Sequence, residues 1–218
     1  MNTQARPLTL QSSIGTIEAL HELPAAGIAA HGVAIIAHPH PLHGGTMHNR
    51  VVQTLARAFL QSGWQVVRFN CRGVGASSGT YDEGRGELAD MLQVIAQTAP
   101  SGAIALAGFS FGAFLASAAA QHILQTSAAP RLQQVVLVGL AASRFSAPAI
   151  SPELHPHTLV LHGEHDDVVP LAAVLDWARP QQTLPVTVIP AGGHFFHGQL
   201  PLLKRLVVQH LQVQATPA

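Results

Sequence analysis

The sequence predicts an α/β fold: a mainly parallel, twisted sheet with helices on both faces, preceded by one or two antiparallel strands. Three observations predict it. Short continuous apolar runs, of the length of strands buried on both faces, recur along the 218 residues. Between them lie stretches with apolar residues at helical spacing. The two kinds alternate through most of the chain, the pattern of parallel strands joined by crossover helices.

Residues Leu8 to Leu23 read as one or two antiparallel strands, with Ile14-Gly15-Thr16-Ile17-Glu18-Ala19-Leu20 alternating about a bend at Gly15. Val33-Ala34-Ile35-Ile36-Ala37 is a central strand that runs into the loop His38-Pro39-His40-Pro41-Leu42-His43-Gly44-Gly45. Val51, Val52, Leu55 and Phe59 line a helix that stops at Gly63. Gln65 to Phe69 is the next strand, followed by the glycine-rich stretch Asn70 to Gly79. Leu88, Met91, Leu92, Ile95 and Ala99 share one face of a helix ended by Pro100. The strand Ala103 to Ala107 and the alanine-rich helix beginning near Ala113 come next. Gln134 to Gly139 is a strand, Ala141 to Pro156 a connection rich in Pro and Ser, and Thr158 to Leu161 another strand. A short helix at Leu171 to Ala178, a strand at Val186 to Ile189 and a last helix at Leu200 to Leu211 complete the series. That last helix tolerates Pro201 in its first turn. No repeat, linker or second domain is visible, so residues 1–218 are expected to form one domain.

Composition narrows the function. Hydrophobic residues make up 48% and charged residues 10%, a globular interior and not a disordered chain. Lys+Arg and Asp+Glu both number 11, so no net charge favours nucleic acid or an anionic membrane, and neither partner is expected. Cys71 is the single cysteine, which excludes an internal disulfide and fits a reducing compartment. The N-terminal residues Met1 to Pro7 lack the apolar centre of a signal peptide. No run reaches the roughly 18 apolar residues that span a bilayer. The expected location is the cytoplasm and the expected partner a small molecule; a homodimer is left open.

The chemistry gathers where such sheets place it, in loops after the carboxyl ends of strands. Gly108-Phe109-Ser110-Phe111-Gly112 lies between a strand and a helix, the context of a nucleophile elbow. Its glycines relieve crowding around a serine held in a strained turn. Asp166 and Asp167 follow a later strand, and His194 and His197 follow the last one. Serine, acid and histidine in that chain order accompany this elbow. A serine hydroxyl needs a base to take its proton, histidine has the right basicity, and a carboxylate fixes its tautomer.

The ordered set resembles the α/β-hydrolase superfamily, and within it the small lidless bacterial serine hydrolases related to dienelactone hydrolases and carboxylesterases. Five stretches between Val33 and Leu211 carry the resemblance: His38-Pro39-His40-Pro41 with Gly44-Gly45; Arg68-Phe69-Asn70-Cys71-Arg72-Gly73-Val74-Gly75-Ala76-Ser77; the elbow; His162-Gly163-x-x-Asp166-x-x-Val169-Pro170; and Gly193-His194-Phe195-Phe196. It implies Ser110 as nucleophile, His194 as base and Asp166 as acid, with Asp167 the alternative. It also implies an oxyanion hole of backbone N–H groups, from Phe111 and from the early loop. There Pro39 and Pro41 have no N–H, which leaves His40 or Leu42, and His40 is preferred. Dienelactone hydrolases proper carry cysteine at the elbow, so their substrate is not transferred to this serine. The connection from Ala141 to His157 is too short for a helical cap, which implies an open site.

The remaining polar residues have plainer readings. His38, His40, His43 and His48 match no common zinc spacing and are read as shaping a pocket rim, so no metal and no cofactor is expected. Arg68, Asn70 and Arg72 are read as holding loops, with recognition of an acidic substrate by Arg72 the sharper alternative. Cys71 is read as buried and unreactive. The resemblance implies that Tyr81, Asp82 and Glu87 lie beside the active face, where they are given a supporting structural role; His197 is given a place at the exposed start of the last helix, and Phe195 and Phe196 places in core and pocket wall. The expected activity is hydrolysis of small carboxylic esters or thioesters through an acyl-enzyme, fading as pH falls through roughly 6.5. A peptidase or lactone hydrolase on the same fold, or a binding protein that has lost the chemistry, are the alternatives.

Overall fold

The computed structural model describes residues 5–213. Among these residues eight strands form one sheet in the order β1-β2-β4-β3-β5-β6-β7-β8. The hairpin of β1 (Arg6–Ser12) and β2 (Gly15–Glu22) is antiparallel, and β2 pairs antiparallel with β4 (Gln65–Phe69). All other pairings are parallel, through β3 (Gly32–Ala37), β5 (Ala103–Phe109), β6 (Leu132–Val138), β7 (Thr158–Gly163) and β8 (Val186–Ile189).

The central strands are apolar throughout because both faces are covered. In β3, Val33, Ile35 and Ala37 join one core and Ala34 and Ile36 the other. In β5, Ile104 and Leu106 face the first core, while Ala105, Ala107 and Phe109 face the second. The first core is closed by α2 (Arg85–Thr98), α3 (Phe111–Leu124) and Val174 of α4 (Leu171–Ala178). The second is closed by α1 (Arg50–Gln61) and α5 (Leu200–Val213), through Val52, Leu55, Phe59, Leu203, Val207 and Leu211. Each fully buried aliphatic side chain of this kind stabilises the fold by about 1.5–3 kcal/mol.

Every element read from the sequence is present, with ends shifted by a few residues. Asn49 caps α1 by accepting from the Val51 N–H at 2.8 Å, and Gly63 ends it with φ 80°. Between β6 and β7 the chain forms turns and a short 3-10 helix, Pro152–His157, but no helical cap. Among the described residues no helix is long and apolar enough to cross a membrane.

Candidate active site

Ser110 stands between β5 and α3 with φ 57° and ψ −115°. Such backbone costs about 1–3 kcal/mol for a residue with a side chain. It is held from three directions: the Ser110 N–H donates to the Val138 carbonyl at 2.8 Å, and its carbonyl accepts from Ala113 and Phe114 at 3.0 and 3.2 Å. The flanking glycines are required by space. A Cβ on Gly108 would lie 2.0 Å from the Gly112 carbonyl oxygen, and one on Gly112 2.2 Å from that of Ala37. Both obstacles are backbone, so α3 can begin this close to β5 and β3 with no side chain at either position.

The loop after β7 returns Asp166 beneath the site, where its side chain is fully buried. Its Oδ1 accepts from the Val168 and Val169 N–H groups at 3.0 and 2.7 Å, and its Oδ2 accepts from His194 Nδ1 at 2.7 Å. Burial raises the carboxyl pKa, but the hydrogen bonds from His194 and Val169 outweigh it, and the net effect holds the group ionised below its ordinary value. With Nδ1–H bound to the carboxylate, His194 Nε2 carries the lone pair, and it faces Ser110 Oγ at 3.1 Å. The loops bearing acid and base are tied together: His165 N–H donates to Gly192, Glu164 N–H to Ile189, and Ala191 N–H to the Glu164 carboxylate, at 2.8, 3.0 and 2.8 Å. Phe109 and Phe195 flank the imidazole at 4.9 and 5.2 Å between ring centres.

The structure therefore brings Ser110, Asp166 and His194 into one hydrogen-bonded line. It does not bring in Asp167 or His197, both of which are exposed. His197 lies in the turn ahead of α5, not at its start, because α5 begins only at Leu200. Phe196 is buried in the core, whereas Phe195 is 45% exposed beside the site. His162, singled out above only as part of a motif, is a further member of the arrangement. Fully buried, it donates from Nε2 to the Val169 carbonyl at 2.9 Å and lies 3.5 Å from Asp166 Oδ2.

A cleft of about 610 Å³ opens over Ser110, lined by residues from the loops after β3, β4, β6 and β7 and by Phe111. Tyr81, given only a supporting role from sequence, lines it, as do Val169 of the fourth motif and Phe145, Ala141 and Val168, which no motif marked. Of the four histidines of the early loop, His40 and His43 line the cleft. His38 is buried behind it: Nδ1 donates to the Pro39 carbonyl at 2.6 Å, and Nε2 accepts the Cys71 N–H at 2.9 Å. Burial pushes His38 down to about 4. His48 is exposed, and among the described residues no three His, Cys, Asp or Glu side chains are grouped to hold a metal ion.

The basic residues of the second motif are engaged elsewhere. Arg72 forms a bidentate pair with buried Asp90 at 2.7 and 2.9 Å, so it is not available to a substrate. Arg68 pairs with Glu22 at 2.8 Å and donates to the Met47 carbonyl at 2.6 Å, and Asn70 bridges Met47 and Glu18. Glu87 accepts from the Asp82 and Gly84 N–H groups, both at 2.8 Å, which pins the loop that carries Tyr81. The Cys71 thiol is fully buried, and burial together with nearby Glu87 and Asp90 pushes its pKa well up, leaving it inert.

Fold and elbow together define an α/β hydrolase. The family model described as the alpha/beta hydrolase fold matches residues 42–155, and the chain belongs to that family. It is similar over its full length to a lidless α/β serine hydrolase of Xanthomonas campestris, with 33% identity, a TM-score of 0.86 and 99% of that chain covered. A Coxiella burnetii α/β serine hydrolase homologue is 35% identical over 94% of this chain and 97% of its own, with a TM-score of 0.78. An uncharacterised protein of Rickettsia prowazekii (strain Madrid E) is 42% identical over 88 residues, which is 38% of this chain and 37% of that protein's length.

Proposed function

We propose that the protein is a serine hydrolase that cleaves small carboxylic esters or thioesters through an acyl-enzyme, with Ser110, His194 and Asp166 as its catalytic residues. The observation that carries the proposal is the continuous line from Ser110 Oγ through His194 to Asp166, at 3.1 and 2.7 Å, opening into a cleft. His194 Nε2 takes the Oγ proton as the oxygen attacks the substrate carbonyl carbon. The carbonyl oxygen becomes an oxyanion, and the imidazolium is stabilised by ionised Asp166. As the tetrahedral intermediate collapses, the imidazolium returns the proton to the departing alkoxide or thiolate. Water then attacks the acyl carbon with His194 as base, and Ser110 leaves carrying its proton again.

Two backbone donors suit the oxyanion. Phe111 is the first residue of α3, so its N–H has no carbonyl one turn back to meet. In the early loop the Leu42 N–H donates to His40 Nδ1 at 3.2 Å, which favours the main-chain N–H of His40 as the second donor. Each such donor lowers the barrier by about 3 kcal/mol in serine hydrolases generally. The uncapped cleft favours small or solvent-exposed substrates over long lipids. The single, buried cysteine fits a reducing compartment, and we place the reaction in the cytoplasm. A fluorophosphonate should add its mass once, at Ser110, and Ser110→Ala should take up none. Labelling that persists in the variant would end the proposal. A panel of esters, lactones and dipeptides assigns the bond cleaved.

A further inference from the structure

We infer that the preferred acyl group carries a planar aromatic ring, which lies against a wall made by His40, Tyr81 and Phe145 beside Ser110, with the buried ring of Phe111 beneath them. The inference rests on the serine-hydrolase reading above and narrows it to a substrate class.

The wall is continuous. His40 lies 4.8 Å from Tyr81, 5.3 Å from Phe111 and 6.1 Å from Phe145, measured between ring centres. Phe111 lies 5.1 Å from Phe145. Phe114 backs Phe145 in a stacked arrangement at 4.9 Å and 20°, so the outer ring is supported from behind. His40, Tyr81 and Phe145 are half-buried and line the cleft together with Ser110, while Phe111, the next residue after Ser110, is fully buried and packs beneath them. The cleft is otherwise aliphatic at Ala141, Val168 and Val169. Its charged residues, Glu83 and Arg144, are exposed, and Glu83 is paired with Arg85 at 2.9 Å.

The wall is also uncharged where the chemistry would run. His40 Nδ1 accepts the Leu42 N–H, which requires a lone pair there, and burial with neighbouring His43 disfavours a second proton. A flat ring meets the edges and faces of such a wall in the offset and edge-to-face geometries that aromatic pairs prefer, whereas a puckered ring of the same length gains area alone. The expected preference is roughly three- to tenfold in kcat/KM.

The test uses S-ethyl thioesters, whose leaving group is not aromatic, followed by release of the free thiol. The 3-phenylpropanoyl and 3-cyclohexylpropanoyl thioesters have the same chain and closely matched intrinsic reactivity. Wild type should prefer the 3-phenylpropanoyl thioester by roughly three- to tenfold. Tyr81→Leu and Phe145→Leu, each checked for a wild-type thermal transition, should bring the ratio toward unity. Two variants are used so that one that fails to fold does not leave the question to itself. Turnover of the acetyl thioester with a phenyl-to-cyclohexyl ratio near or below one overturns the inference and spares the hydrolase reading. A high ratio that survives in both folded variants also overturns it. No turnover of any of these thioesters, nor of 4-nitrophenyl acetate, overturns the reading beneath it.

Discussion

The two sides of Ser110 are held by different physics. On one side, His194 and Asp166 are fixed by hydrogen bonds of 2.7 to 3.1 Å, each with a direction set by a lone pair and an N–H. On the other, His40, Tyr81, Phe111 and Phe145 meet through ring packing at 4.8 to 6.1 Å between centres, where orientation is looser. On the proposed function, the first side tolerates no change of atom type and sets what reaction is available. On the inference above, the second tolerates change of shape in small steps and sets which acyl group is preferred.

The sharpest way to break this contrast is on the hydrogen-bonded side. Asp166→Asn keeps the shape but removes the acceptor that fixes the His194 tautomer, and kcat for an activated ester should fall by about 10⁴-fold. The neighbouring change Asp167→Asn, at an exposed position, should leave kcat as it was. Equal losses would show that the loop, not the one carboxylate, matters.

A smaller effect tests how the aromatic side is anchored. His38 joins the loops that carry His40 and Tyr81 by accepting the Cys71 N–H, and a protonated imidazole cannot accept. In the unfolded chain this histidine binds its proton near 6.5, in the native protein only at about 4. Between those values the unfolded state holds more protons, so stability rises with pH and is lost on acidification. The loss from this one group amounts to roughly 3 kcal/mol. Urea unfolding across that range should show a flatter pH dependence in His38→Gln, with a residual slope from His162, which burial also lowers. Identical slopes would assign the acid sensitivity elsewhere. The smallest effect is the several-fold change in aryl preference expected for Tyr81→Leu and Phe145→Leu.

The same contrast explains what could be read in the sequence. That Ser110, Asp166 and His194 come together was legible because the proposed reaction demands particular atom types, and because each follows a strand. The glycines at 108 and 112 were legible for a steric reason that the backbone distances make explicit. Phe145 was not, and Tyr81 was placed beside the active face only by the resemblance, because an aromatic residue in a loop has the same local signature whether it lines a cleft or fills a core. Only the pairing of β3 with β4 and β5, and of β5 with β6, brings their loops to one place. His162 was passed over as a motif letter, since nothing in one dimension reveals that its ring turns toward Asp166. Arg72 was open to two readings, and only the position of Asp90 on α2 decided between them.

The central claim is that Ser110 becomes acylated with His194 as its base. Rapid mixing with excess 4-nitrophenyl acetate measures this most directly, with acid quenching and peptide mapping of the trapped acetyl group. The account predicts an initial burst of one nitrophenol per chain and acetyl on Ser110, with neither in His194→Ala. Steady release with no trapped acyl group, or acetyl mapped to another residue, would contradict it.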